Sequence, residues 1–220
     1  MLELLLGISL GLAVLGMALS VWQTSQQSRL AFAAQQNLQH NARLAFEAIL
    51  AQAELVGATT LDLSATDHAK GGDSLVLGHS RSVDPLDCQG NRNGTAMMIR
   101  NQFQRSTSTV NDFACKDLLA AGSTYQALAE GIEDFQIELA EVTPDAQKLQ
   151  WKTPSQVTQW DHVVAIEVCL RLVSPQRVIA ANRTTLGCQG ESVPADGHLR
   201  WVQRRMVQVR RHAPFNRAFD

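Results

Sequence analysis

The sequence has 220 residues and a formal net charge of −2, with 19 basic and 21 acidic side chains. This balance excludes a protein that binds a polyanion through the net charge of the whole chain. After the first 57 residues, about 160 remain, which suffices for one hydrophobic core and hardly for two.

The N-terminal region predicts a membrane anchor. The first 22 residues carry one charged side chain, Glu3, and no proline or turn signal follows before Gly57. The run from Leu4 to Val21 suits a membrane-spanning helix, which needs roughly 20 apolar residues. A cleaved signal peptide, with Ala31-Phe32-Ala33 as its cleavage site, fits less well, because such peptides begin with basic residues and have a shorter apolar core. We therefore expect a retained transmembrane segment over residues 2–22.

The anchor is predicted to continue as an amphipathic helix over residues 23–57. Apolar or small residues recur there at steps of three and four, which indicates one buried helical stripe. The stripe consists of Leu38, Ala42, Ala45, Ile49, Ala53 and Val56. A single helix from Leu2 to Val56 would be about 80 Å long. A coiled-coil stalk or a kinked helix pair is the alternative, although small residues disfavour a strong coiled-coil seam.

Residues 58–220 are predicted to form one β-rich head. Short apolar runs bounded by Gly, Asn, Asp, Ser and Thr are typical of strands. These runs include residues 73–77, 96–99, 132–142, 162–173 and 199–209. The alternation from Phe135 to Leu139 indicates a strand with one wet face, and residues 163–173, apolar on both faces, are expected to be the central strand. Long polar loops are predicted over residues 57–72, 89–94 and 143–159.

All four cysteines follow the apolar segment, in the part that would be exported: Cys88, Cys115, Cys169 and Cys188. An even number there favours two disulfides. No CxxC pair is present, and the spacings match no zinc site. Pairing of neighbours, Cys88 with Cys115 and Cys169 with Cys188, is the simplest of three connectivities and is our expectation.

Catalytic and metal-binding patterns are weak. The six histidines are scattered, and none belongs to an HExxH or nucleophile motif. Asp67, His68 and Asp73 lie near a Gly-Gly pair, but their spacing matches no calcium loop, so a polar surface loop is favoured. The sequence thus gives no support for an enzyme, a metal or a cofactor.

The C-terminal segment is basic. Its arginines include Arg200, Arg204, Arg205, Arg210 and Arg211, which we call the basic stripe. Such a stripe suits nucleic-acid phosphates, but charges along a terminal strand also protect an exposed sheet edge from pairing. We favour the edge strand, because few aromatic residues accompany the arginines, and keep nucleic-acid contact as the alternative.

Several segments resemble one protein family. The opening Leu2-Glu3-Leu4-Leu5, before an apolar helix that becomes amphipathic, resembles type IV pilin-like proteins, whose mature chain begins with Phe and has Glu as its fifth residue. The stretches DCQGN at 87–91, FAC at 113–115 and LAEGIEDFQ at 128–136 resemble the PilW-like minor pilins, as does the segment 160–175. The resemblance implies an α+β pilin fold, in which a long N-terminal helix packs on an antiparallel sheet with disulfide-closed loops.

The resemblance also implies a structural role without catalysis. PilW-like proteins are low-abundance subunits that prime pilus assembly near the tip, with other minor pilins, the major pilin and a large adhesin-like partner. Twitching, adhesion or DNA uptake would depend on them. The chain would wait in the bacterial inner membrane with a periplasmic head and then enter the extracellular pilus. The alternative is a minor pseudopilin of type II secretion, which shares the helix and the sheet.

Within this family Glu3 is expected to act in assembly, by pairing with the free amino terminus of a neighbouring subunit in the apolar fibre core. Gly7, Gly11 and Gly16 would permit close helix packing in lipid, although glycine is also common in ordinary membrane helices. The family has a short basic leader ending in Gly, which prepilin peptidase removes, whereas two residues precede Glu3 here. We expect an upstream start or a missing leader rather than an unprocessed protein.

Overall fold

The computed structural model of the protein describes residues 2–56, 61–67, 72–80, 86–91, 98–106, 111–143 and 148–209. One helix, α1, runs without interruption over Leu2–Val56. The strands among the described residues are β1 Leu61–Thr66, β2 Ser74–Ser80, β3 Met98–Arg105, β4 Phe113–Asp117, β5 Gln126–Ala129, β6 Ile132–Thr143, β7 Lys148–Lys152, β8 Val163–Arg177, β9 Thr184–Leu186, β10 Ser192–Pro194 and β11 His198–Gln208. Two short 3₁₀ turns, Pro154–Gln156 and Trp160–His162, precede β8.

The head contains two antiparallel sheets instead of the single sheet that the sequence predicts. The first sheet has the order β1-β2-β3-β4-β5, and the second has the order β11-β8-β6-β7. Strands β9 and β10 form a separate two-stranded ribbon. The predicted central strand is confirmed, because β8 lies inside the second sheet between β11 and β6. In β6 the predicted alternation also holds, with Phe135, Ile137 and Leu139 buried and Glu138 exposed.

Asp73 joins the two sheets at the N-terminal half of β6, where β7 does not pair with it. The backbone amide of Asp73 donates to the carbonyl oxygen of Phe135 at 2.7 Å. Its carboxylate Oδ2 accepts from the backbone amide of Ile137 at 2.8 Å. Gly72, with a φ of 143°, permits this approach, since a Cβ atom there would lie 3.3 Å from the Phe135 carbonyl oxygen. One residue thus satisfies a strand edge that would otherwise be buried without partners.

The C-terminal half of α1 belongs to the hydrophobic core of the head. Five of the six predicted stripe residues are at most 2% exposed, namely Leu38, Ala42, Ala45, Ile49 and Ala53. The side chain of Val56, the sixth, lies outside the described residues, as does Gly57, the predicted stop. Phe46 is also fully buried, and α1 packs against β11, β8, β2 and β5. The stripe therefore joins both sheets into one core.

Two predicted loops are wrong because they contain strands. The segment 57–72 includes β1, in which Leu63 is 6% exposed and pairs with Leu77 of β2. The segment 143–159 includes β7, an edge strand of the second sheet whose residues are mostly exposed. A strand with one neighbour and a solvated face carries polar residues, so its composition resembles that of a loop.

Both disulfides have the predicted connectivity. Cys88 bonds to Cys115 across a sequence separation of 27 residues. Cys169 bonds to Cys188 across a separation of 19 residues. The first bond ties the segment before β3 to β4, and the second ties the turn between β9 and β10 to the middle of β8.

Candidate assembly interface

The N-terminal half of α1 is apolar, and the head does not cover it. Large apolar side chains from Ile8 to Trp22 are between 54% and 69% exposed. By length and composition, α1 is the one helix among the described residues that is suited to cross a membrane. The run from Leu4 to Val21 would extend about 27 Å, close to the roughly 30 Å of a bilayer's hydrocarbon core. This half therefore requires lipid or other helices as its surroundings.

Hydroxyl groups near the end of this apolar half are satisfied within the helix. Ser20 Oγ donates to the carbonyl oxygen of Met17 at 2.8 Å, and Thr24 Oγ1 donates to that of Ser20 at 2.9 Å. Side chains bonded in this way need no water in order to lie in an apolar environment. Glu3, in the first turn of α1, is exposed like them but differs because its carboxylate makes no hydrogen bond within the described residues.

The three glycines of this half lie in open space. A Cβ atom added at Gly7, Gly11 or Gly16 would meet no atom within 4 Å. Since a helix has 3.6 residues per turn, Glu3, Gly7 and Gly11 lie on one face, whereas Gly16 lies roughly half a turn away from Gly7. Nothing in the described part of the chain requires glycine at these positions. Because these glycines lie on two faces of α1, close packing of other helices at all three would involve two different helices.

The basic stripe does not form a single surface. Arg210 and Arg211 lie outside the described residues. Side chains alternate between faces along a strand, so Arg200 and Arg204 lie on the face of β11 opposite to Arg205. The guanidinium carbon of Arg205 lies 5.2 Å from the ring centroid of Phe46 on α1. Strand β11 is an edge of the second sheet, which agrees with the edge-strand interpretation, while nucleic-acid contact stays an untested alternative.

Glu133 forms ion pairs with two arginines, Arg200 and Arg171. Arg200 Nε lies 2.8 Å from Glu133 Oε2, and Arg171 Nε lies 3.2 Å from the same oxygen. The side chain of Arg200 is 8% exposed, so this pair is largely shielded from water. Burial by itself raises the pKa of Glu133, but the hydrogen bonds and charges of Arg200 and Arg171 outweigh burial and lower that pKa. The cluster is therefore an internal ion-pair network and not a free basic patch.

The same arginines attach the ribbon to the second sheet. Arg171 Nη1 lies 2.6 Å from Glu191 Oε1. Arg200 donates to the carbonyl oxygens of Pro194 and Ala195, and Arg204 donates to that of Cys188. With the disulfide of Cys188, these contacts hold both ends of the ribbon.

Most of the EGIEDFQ stretch has a structural role in this network. Gly131 has a φ of 76°, and a Cβ atom there would lie 2.8 Å from the Val173 carbonyl oxygen, so only glycine fits. Ile132 and Phe135 are fully buried. Glu130 is the exception, since it is exposed and makes no hydrogen bond or ion pair in the part of the chain that the structure describes.

The DCQGN stretch forms a closed turn. Asp87 Oδ1 accepts from the backbone amides of Gln89 and Asn91, both at 2.8 Å. The Gln89 side chain donates to the carbonyl oxygens of Cys115 at 3.1 Å and Thr124 at 2.7 Å. This turn positions Cys88 for its disulfide.

The carboxylates of the candidate metal loop are used elsewhere. Asp67 Oδ2 accepts from the backbone amide of Ser155 at 3.1 Å, Asp73 joins the two sheets, and His68 lies outside the described residues. Among the residues that the structure describes, no group of three or more His, Cys, Asp or Glu side chains is arranged to hold a metal ion.

Comparisons with known proteins agree with this architecture. Residues 91–211, more than half of the chain, match the family model of type IV pilus-assembly protein W, PilW. A solved type IV-like pilin from Thermus thermophilus aligns with a TM-score of 0.51 at 15% identity, covering 78% of this chain and 95% of that chain. At that identity the likeness supports the fold alone. No curated protein sequence matches significantly. The chain belongs to the PilW family of type IV pilus-assembly proteins.

Proposed function

We propose that the protein is a minor subunit of a type IV pilus that primes filament assembly near the tip. The observation that carries this proposal is the division of α1 within one continuous helix of 55 residues. Its N-terminal half exposes apolar side chains, whereas its C-terminal half is part of the head's core. A helix built in this way can pass from lipid into a bundle of other subunits' helices without any refolding of the head.

Glu3 and the glycines would act at the buried end of that bundle. A carboxylate in an apolar fibre core is costly unless it is paired, and the free amino terminus of a neighbouring subunit would provide the partner. The face that carries Glu3, Gly7 and Gly11 would bring this neighbour close, because glycine permits short distances between helices. Gly16 would face a second helix.

A tip-proximal position suits the size of the head. About 160 residues in two sheets and a ribbon make a bulky domain that would fit poorly into every layer of a thin fibre. Other minor pilins, the major pilin and an adhesin-like protein are the proposed partners, with prepilin peptidase as the processing enzyme if translation starts upstream. Twitching, adhesion or DNA uptake would then require the protein indirectly.

The proposed route runs from the inner membrane, with the head in the periplasm, to the extracellular pilus. The two disulfides support it, because such bonds persist in oxidising compartments.

Deletion of the gene tests the proposal. We expect fewer surface pili, with the major pilin still made and retained in the inner membrane. Quantitative mass spectrometry of sheared pili should find far fewer copies of this chain than of the major pilin. Unchanged piliation would contradict the priming role, and equal copy numbers would contradict the minor-subunit role. Normal piliation with a defect in protein secretion would instead favour the type II pseudopilin.

A further inference from the structure

A groove of about 380 Å³ lies between α1 and the head. Asn37, Leu38 and Asn41 line it from the helix, and Asn111, Glu130, Ser174 and His198 are among its residues from the head. Asn37 lies about 22 Å along α1 from Trp22, where the apolar half ends. The groove thus opens beside α1, about four helical turns on the C-terminal side of the segment proposed to insert into lipid or into a fibre core.

Among the charged side chains that line the groove, Glu130 is the one that no opposite charge in the lining neutralises. Two other charged residues line it, Glu133 and Arg200, and they neutralise each other at 2.8 Å. Glu130 has no cation or hydrogen-bond donor in contact with it within the described residues. Its backbone position is nevertheless fixed, because the adjacent Gly131 accepts a hydrogen bond from the Val173 amide at 2.8 Å.

The neighbouring polar side chains add hydrogen-bond acceptors. His198 Nδ1 lies 2.7 Å from the carbonyl oxygen of Ser174, and a carbonyl oxygen only accepts, so Nδ1 carries the proton and Nε2 of the neutral ring is an acceptor. Asn41 Nδ2 donates to Asn37 Oδ1 at 2.8 Å, which leaves Asn41 Oδ1 as an acceptor. These acceptors and Glu130 suit a ligand that donates several hydrogen bonds and carries positive charge, while Asn111, whose Oδ1 accepts from Arg105 Nη1 at 3.4 Å, offers a donor.

We propose that this groove binds a basic side chain, arginine or lysine, from a neighbouring pilin subunit. The inference rests on the proposed function, which places other subunits' helices and heads alongside α1. An arginine has five N–H donors for these acceptors and forms charge-assisted hydrogen bonds with a carboxylate. A metal ion fits less well, because Glu133 is already paired and Glu130 is then the single available carboxylate of the groove within the described residues.

Photo-cross-linking in assembling cells tests the proposal on the full chain. A photoreactive amino acid at position 40 suits this test, since His40 is exposed and adjacent to Asn41 without lining the groove. With the native Glu130 we expect a cross-link to another pilin, at a partner peptide containing Arg or Lys. Glu130→Gln should lower the yield at least about fivefold, as expected for loss of a charge-assisted hydrogen bond, and Glu130→Lys should nearly abolish it.

Glu138→Gln is the matched control, because Glu138 is also an exposed glutamate of the head but lines a different pocket, and its yield should equal that of the wild type. Wild-type yields from both Glu130→Gln and Glu130→Lys would overturn the inference, as would a cross-link solely to lipid or within the chain. A second photoreactive group at Leu15 separates this result from the proposed function. Cross-links to pilins at position 15 with no effect of Glu130 would refute the groove alone, whereas absence of pilin cross-links at both positions would refute the subunit role.

Discussion

The two halves of α1 share one backbone conformation but have opposite environments. Phe46 in the second half is fully buried in the core of the head, whereas Trp22 in the first half is 61% exposed. Helix formation is favoured in both halves by residues of high helix propensity, but the surroundings of each half depend on whether a sheet packs against it. The core of the head is therefore complete without the first half of α1, which is available for other partners.

The largest effect on the stability of the head is expected from Phe46→Ala. Removing a buried aromatic side chain typically costs about 3–5 kcal/mol, because it leaves a cavity. The matched aromatic variant in the first half, Trp22→Ala, should change the free energy of unfolding by less than about 0.5 kcal/mol, as is usual for exposed positions. Denaturant titrations of the full chain in detergent measure both values. Equal losses in the two variants would show that the halves are not energetically distinct.

Loss of the disulfide at the ribbon should have the next largest effect. The double variant Cys169→Ser with Cys188→Ser removes a bond across 19 residues. Such a loop is worth about 3 kcal/mol through the unfolded chain's entropy. The helical circular dichroism signal of the folded chain should stay unchanged, since no disulfide contacts the exposed half of α1. A weaker helical signal in the folded double variant would contradict the independence of the two halves.

Glu133→Gln should have a smaller effect, of about 2 kcal/mol at neutral pH, because it weakens charge-assisted hydrogen bonds from Arg200 and Arg171. The pKa of Glu133 is lowered in the folded protein, so the stabilisation is fully present above the unfolded value of about 4.3. It is lost as the pH falls from there through the folded pKa. The difference between wild type and variant should therefore shrink in acid. Glu138→Gln is the control, and a constant difference at all pH values would contradict the ion-pair explanation.

Local patterns explain why much of the fold is predictable. The stripe from Leu38 to Ala53 repeats with the period of a helix, and residues 135–139 alternate with the period of a strand, so neighbours in sequence are sufficient to identify both. The neighbouring disulfides are also local. Strands β1 and β7 escape prediction, because an edge position permits polar residues.

Contacts between distant residues explain what the sequence does not reveal. Asp73 contacts Ile137 only because the two sheets adjoin. Glu133 contacts Arg200 only because β6 and β11 lie on either side of β8 and both side chains extend from the same face of the sheet. The groove at Glu130 likewise requires that α1 lie against the start of β6. Nothing in the EGIEDFQ letters distinguishes Glu130, which faces solvent, from Glu133, which is paired inside the head.

The smallest effect on the head is expected from Glu3→Ala, and it tests the comparison most directly. Glu3 lies about 65 Å along α1 from Phe46 and contacts none of the head's core residues, so the free energy of unfolding should change by less than about 0.5 kcal/mol. Incorporation into sheared pili, judged by immunoblot, should fall strongly, because an uncharged residue cannot pair with a neighbour's amino terminus. Glu3→Gln keeps the shape of the side chain without its charge and should fail in the same way. Normal incorporation of both variants would refute a charge-pairing role for Glu3, while a fall for Glu3→Ala alone would assign that role to hydrogen bonding.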